Sequence, residues 1–127
     1  MSNLIDMMPR LEPGLAKRLD MLTGDGDACA LEFRALAAEV RREPRFRSTL
    51  SMAKAMADER RLLALALLDR RDALCACELQ AALGVSHATV SHHMDSLAAA
   101  GLVASERRGK WTYYRLTPAA KRLVPRS

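Results

Sequence analysis

The stretch from Cys75 to Leu116 constrains the fold most, because two capped helical patterns and then an alternating hairpin pattern follow one another without a break. Cys75 to Leu83 predicts a short helix closed by Gly84, the residue type that most readily takes the left-handed conformation at a helix end. Ser86 then offers its hydroxyl as cap for a second helix running to about Ala100. In that helix Val90, Met94 and Leu97 recur at helical spacing as the buried stripe, leaving Ala88, Thr89, Ser91, His92, Asp95 and Ser96 outside. Two short helices joined through Gly84-Val85-Ser86 have the form of a helix-turn-helix. After Gly101 the period changes to two. Leu102 to Arg107 and Lys110 to Leu116 predict strands joined at Arg108-Gly109, with Val103 opposite Tyr114, Ser105 opposite Thr112 and Arg107 opposite Lys110. The expected fold class is mainly α: a winged helix-turn-helix with a helical core, a C-terminal two-stranded β wing and an N-terminal helical extension.

Upstream the patterns are all helical. A first helix is expected from Pro13, with Leu15, Leu19 and Leu22 at helical spacing, ended by Thr23-Gly24-Asp25-Gly26. Asp27 is read as the cap of a second, carrying Cys29, Phe33, Leu36 and Val40 on one face and stopping at Pro44. A third begins at Pro44, with Phe46, Leu50, Ala53 and Met56 on one side. Asp58 caps a fourth, which holds the apolar run Leu62 to Leu68. Thr117 and Pro118 open a last helix that Pro125 cuts after about two turns. The expected organisation is an N-terminal helical extension over 1–43, a winged helix-turn-helix over 44–124 and a tail at 125–127.

The chain has 127 residues, half of them hydrophobic, enough for one compact core. It lacks an apolar run of membrane-spanning length, and its start lacks the basic and apolar segments of a secretory signal, so a cytoplasmic protein without membrane contact is expected. Three cysteines, an odd number, argue against a disulfide framework. Residues 1–50 hold eight Lys/Arg against eight Asp/Glu, and residues 51–127 twelve against seven, so the whole net charge of +5 lies in the second part. From Leu102 onward seven basic residues face one acidic residue, Glu106. Such a field suits a polyanion such as double-stranded DNA; a basic surface kept for solubility is the plainer alternative.

The N-terminal turn of a helix lying in the major groove reaches base edges, while hydroxyls and amides hold phosphates. Those positions fall on Ser86, His87, Ala88, Thr89, Ser91 and His92. Arg107, Arg108 and Lys110 at the wing tip are placed to meet the flanking backbone or minor groove. The chain has no nucleotide-binding loop, paired zinc-hydrolase histidines or serine elbow, and it is not expected to be an enzyme.

The runs Leu74-Cys75-Ala76-Cys77-Glu78-Leu79, Leu83-Gly84-Val85-Ser86 and Ala88-Thr89-Val90-Ser91-His92-His93-Met94 resemble the ArsR/SmtB family of metal-sensing repressors. The wing residues Gly101-Leu102-Val103 and Arg107-Arg108-Gly109-Lys110-Trp111-Thr112-Tyr113-Tyr114-Arg115-Leu116 resemble it too. The likeness covers about Met52 to Thr117 and leaves residues 1–43 outside. It implies a homodimeric winged-helix repressor that binds a near-palindromic operator and leaves it when an inducer binds. The family commonly closes its dimer with a long C-terminal helix, which Pro125 curtails here. The N-terminal helices, with Leu15, Leu19, Leu22, Phe33, Leu36 and Val40, are therefore expected either to supply dimer surface or to cover the core of one protomer. The last helix has no His or carboxylate pair, so the C-terminal zinc site of some relatives is not expected.

Cys75 and Cys77 open the first helix of the motif, where the helix dipole and Arg70 and Arg71 favour thiolate, the form that binds soft ions. The resemblance implies trivalent arsenic or antimony as inducer, with cadmium, lead or zinc as alternatives. Residues two apart lie about 200° around an ideal helix, so both sulfurs face one ion only if that turn distorts. Trivalent arsenic takes three thiolates, and Cys29 is the remaining candidate ligand, although its place on an apolar face also fits a buried packing thiol. His87, His92 and His93 fall on the expected DNA-facing helix rather than on a metal site, and His93 also fits a packing position. Two rival readings stay open: a redox-responsive repressor whose Cys29 forms a disulfide with Cys75 or Cys77, and a winged-helix repressor without inducer.

Overall fold

A computed structural model describes residues 12–124. The chain divides into two compact units between Arg47 and Ser48.

The first unit is built on α1 (Leu15–Thr23) and α2 (Gly26–Arg42). Asp25, extended at φ −147°, caps α2 by accepting the Ala28 N–H at 3.0 Å. Asp27, expected as the cap, lies instead in the first turn, where its charge opposes the positive end of the helix dipole. Gly26 is buried where the two helices meet, and a Cβ there would overlap the backbone carbonyl oxygen of Ala16. The helix backbones approach so closely that only glycine fits. Apart from Gly26, Cys29 is the buried residue of α2, while Phe33 and Leu36 on the expected stripe stay open to solvent.

A third helix, α3 (Pro44–Met56), crosses the division between the units. Its expected stripe is corrected. Phe46, Leu50 and Ala53 are exposed, whereas Ala55 is buried and Met52 and Met56 pack half-buried against the core of the second unit. Spacing alone admits several stripes around this helix, and packing against the core of the second unit selects the one with Met52, Ala55 and Met56.

The second unit continues with α4 (Glu59–Arg70), β1 (Leu74–Cys75), α5 (Ala76–Leu83), α6 (His87–Ala99), β2 (Val103–Arg108), β3 (Trp111–Leu116) and α7 (Pro118–Lys121). Asp58 caps α4 through the Arg61 N–H at 3.1 Å, and the Arg61 Nε–H donates to the Ala55 carbonyl at 2.7 Å, tying the end of α3 to the start of α4. Gly84 ends α5 at φ +66°, its N–H donating to the Gln80 carbonyl at 2.9 Å. Leu65, Leu79, Val90, Met94, Leu97 and Leu102 are fully buried, so the expected stripe of α6 is the one facing the core.

The strands form an antiparallel sheet in the order β1-β3-β2. The wing hairpin is therefore joined by a third, two-residue strand, in which Leu74 pairs with Tyr114 and Cys75 with Tyr113. The expected hairpin register is also corrected: Val103 pairs with Leu116, Ser105 with Tyr114, Arg107 with Thr112 and Arg108 with Trp111. The loop is thus Gly109-Lys110. Gly109 takes φ +61° and Lys110 does not take positive φ, a pattern that suits a type II′ turn with glycine at its first central position. Thr117 caps α7 by accepting the Ala120 N–H at 3.2 Å and donates its hydroxyl to the Gly101 carbonyl at 2.7 Å. The helix lasts one turn rather than the two expected; Pro125 and the tail at 125–127 lie outside the described residues.

Candidate functional site

The start of α6 presents Ser86, His87, Ala88 and His92 to solvent, with Thr89 and Ser91 half-buried beside them. The Ser86 hydroxyl accepts the Thr89 N–H at 3.2 Å and lies 2.9 Å from the Thr89 hydroxyl, so this pair caps the helix while keeping one exposed polar edge. His93 lies on the opposite side. It is only 8% exposed, and neither of its ring nitrogens has a hydrogen-bond partner among the described residues, which makes it a packing residue of the core. The other two histidines, His87 and His92, are exposed on the helix.

Arg107, Arg108 and Lys110 are all exposed at the wing, as expected, but they are not equivalent. The Arg108 guanidinium stacks 4.5 Å from the centre of the Tyr113 ring and pairs with the Glu106 carboxylate at 3.3 Å. Arg115 pairs with the same carboxylate oxygen. Lys110 Nζ lies 5.4 Å from the centre of the exposed Trp111 ring. Arg107, on the other face, makes no ion pair among the described residues. Glu106, Trp111, Tyr113 and Arg115 were not among the residues expected from the sequence to meet DNA. Strand alternation puts Glu106 and Arg108 of β2 on one face with Trp111, Tyr113 and Arg115 of β3, and the observed register sets Glu106 directly opposite Tyr113 and Arg108 opposite Trp111.

The thiol pair is placed differently from the expectation. Cys75 is the extended cap of α5, φ −80° and ψ 163°, and also the last residue of β1, while Cys77 is exposed in the first helical turn. The pair straddles a strand-to-helix joint, so the 200° separation of an ideal helix does not govern the direction of the two sulfurs. The Cys75 N–H donates to Glu78 Oε1 at 2.9 Å. That bond, then a hydrogen bond with the Cys75 side chain and the charge of Arg71, holds the Glu78 carboxyl below its ordinary value. A carboxylate stabilised in this way supports the cap above its unfolded pKa and loses that support as pH falls through the lowered folded value.

All three cysteines are free thiols; Cys29 is buried in α2 of the first unit, Cys75 half-buried and Cys77 exposed in the second. Among the described residues no three His, Cys, Asp or Glu side chains gather into a metal-binding group. The soft, accessible donors that could hold a thiophilic ion are Cys75 and Cys77. No helix among the described residues is long and apolar enough to cross a membrane.

Residues 58–105, from the cap of α4 into β2, match the family described as bacterial regulatory protein, arsR family. The chain is 39% identical over 71 residues to the arsenic resistance transcriptional regulator ArsR1 of Pseudomonas putida, an alignment covering 56% of each chain. It thus spans about half the length of the curated relatives it matches. Among solved structures, HlyU from Vibrio cholerae is 30% identical at a TM-score of 0.60, covering 65% of this chain and 89% of that one. The homodimeric winged helix-turn-helix DNA-binding domain of Mb0332 from Mycobacterium bovis is 29% identical at a TM-score of 0.62, covering 66% of this chain and 78% of that one. With the helix-turn-helix, the basic wing and these likenesses together, the chain belongs to the arsR family of bacterial regulatory proteins, a family of winged-helix transcriptional regulators rather than enzymes.

Proposed function

We propose that this chain is a transcriptional repressor that binds double-stranded operator DNA and leaves it when trivalent arsenic or antimony is captured by Cys75 and Cys77. The observation that carries the reading is the pair of free thiols at the joint between β1 and α5, within the same small unit as the exposed turn of α6 and the basic wing. The name of the Pseudomonas putida relative supports arsenic as the ion. Arsenic(III) calls for a third sulfur, for which Cys29 is the candidate. Ser86, His87, Ala88, Thr89, Ser91 and His92 are assigned to the major groove, and Arg107, Arg108 and Lys110 to phosphates.

One titration tests this reading, using a duplex that the protein itself selects from a random pool. Arsenite in a non-thiol reductant is expected to release wild-type protein, and Cys75→Ser to stay bound. Release by oxidant alone would replace the reading with a disulfide switch, and no release by either would leave the thiols as packing residues. In the same assay Arg107→Ala is expected to weaken binding to all sequences alike and to reduce the slope of log affinity against log salt by about 1.

The repressor is further proposed to be a homodimer whose N-terminal helices meet across the two-fold axis. Met21, Leu22 and Phe33 are 86%, 80% and 60% exposed, an apolar surface of the kind that marks an interaction site. Phe33→Glu is expected to sediment as a monomer, and an unchanged dimer would move the interface elsewhere.

A further inference from the structure

The thiol pair and the wing are joined by one row of residues across the sheet. Cys75 in β1 pairs with Tyr113 in β3, and Tyr113 pairs with Glu106 in β2. Residues directly opposite in an antiparallel pair carry their side chains on the same face, with Cβ atoms about 5 Å apart. On that face the Tyr113 ring lies under the guanidinium of Arg108, and Glu106 pairs with both Arg108 and Arg115. Arg108 in turn pairs with Trp111 at the tip of the hairpin.

Cys75 therefore has three roles at one backbone position. It is the cap of α5, bonded to Glu78; it is the strand partner of Tyr113; and it is one of the two thiols. An ion that draws the sulfurs of Cys75 and Cys77 together pulls on a residue that cannot turn without disturbing both its cap bond and its pairing with β3. The nearest large group across the strand is the ring that holds Arg108 by the attraction of a cation for an aromatic face.

We propose that Tyr113 is the positioning residue through which ion capture at Cys75 and Cys77 displaces the wing arginine Arg108, so that the inducer acts on the wing. This rests on the thiol-sensing reading of the same site. The inducer then favours a wing arrangement that DNA does not, and differential affinity of that kind is what coupling between two sites requires.

The chain has one tryptophan, Trp111, so its fluorescence reports the wing tip without DNA. The experiment compares wild type, Tyr113→Phe, which keeps a ring, and Tyr113→Val, which keeps a strand-forming side chain without one. Each is titrated with arsenite in a non-thiol reductant. Three signals are followed: loss of reactive thiols, Trp111 emission, and release from the selected duplex. Thiol capture is expected in all three proteins. The emission change is expected in wild type and Tyr113→Phe and to be lost in Tyr113→Val, whose release by arsenite weakens about fivefold or more, the lower end of ordinary coupling between sites. Should Tyr113→Val not fold, Arg108→Gln replaces it, with the same loss of the emission change expected.

Equal responses in wild type and the ring-less variant would overturn the role of Tyr113. Thiol capture by wild type with unchanged emission would overturn the coupling and leave sensing intact. Thiols that take up no arsenite would remove the sensing reading, and this inference with it.

Discussion

Leu97→Ala is expected to lower the stability of the second unit by about 3 kcal/mol, within the range measured when a buried leucine is cut back to alanine. Leu97 is fully buried on the core face of α6, with Met94 and Val90 about one and two turns before it. Truncation forfeits the transfer energy of the removed carbons and leaves a cavity that a close-packed core fills only in part. A domain of this size rests on a net stability of roughly 5–15 kcal/mol, so the loss is a large share of the total. At about 4–8 °C per kcal/mol, the melting temperature should fall by roughly 15 °C. The exposed neighbour Ala98, changed to Ser, should stay within about 0.5 kcal/mol of wild type. Urea or thermal melts check both, and a Leu97→Ala loss below about 1 kcal/mol would mean that α6 is not anchored as described.

The second large effect is expected at Gly26→Ala. On helix propensity alone the change should stabilise α2 by up to about 1 kcal/mol. The contact with α1 reverses the sign, because the new methyl would overlap the Ala16 carbonyl oxygen. A backbone atom cannot swing aside as a side chain does, so α1 has to move as a body. A net loss of about 2 kcal/mol is expected, in the range of overpacked sites. Far-ultraviolet circular dichroism melts and faster tryptic cleavage at Lys17 and Arg18 in α1 are the readouts. A more stable protein would show that α1 and α2 do not meet at Gly26.

The sequence determined by itself the features that chemistry sets within a few residues. Asp58, Ser86 and Thr117 were recognisable as caps, and each accepts the N–H three residues on. Gly84 was recognisable as the end of α5, and Val90, Met94 and Leu97 as the buried stripe of α6. Caps, left-handed glycines and helical periodicity are local, so the helix-turn-helix could be read directly. Where two acidic residues competed, at Asp25 and Asp27, the local signal was ambiguous and the nearer one was wrongly preferred.

Other features were decided by partners distant in the chain. Alternation along β2 and β3 told which side chains share a face, but the turn chose their partners. Moving the loop by one residue, to Gly109-Lys110, shifts every pair by two and preserves the alternation, so periodicity could not distinguish the registers. β1 was invisible because two residues, Leu74 and Cys75, become a strand only when β3 lies beside them. Cys75 thereby left the helix in which the motif had placed it and became the joint between cap, sheet and thiol pair. The exposure of Leu22, Phe33 and Leu36 was equally beyond the sequence, because an apolar stripe specifies that a helix face seeks cover without specifying which surface provides it. Local hydrogen bonding and periodicity thus made the DNA-reading module legible, while the wing register, the third strand and the setting of the thiols depended on strand pairing across the chain.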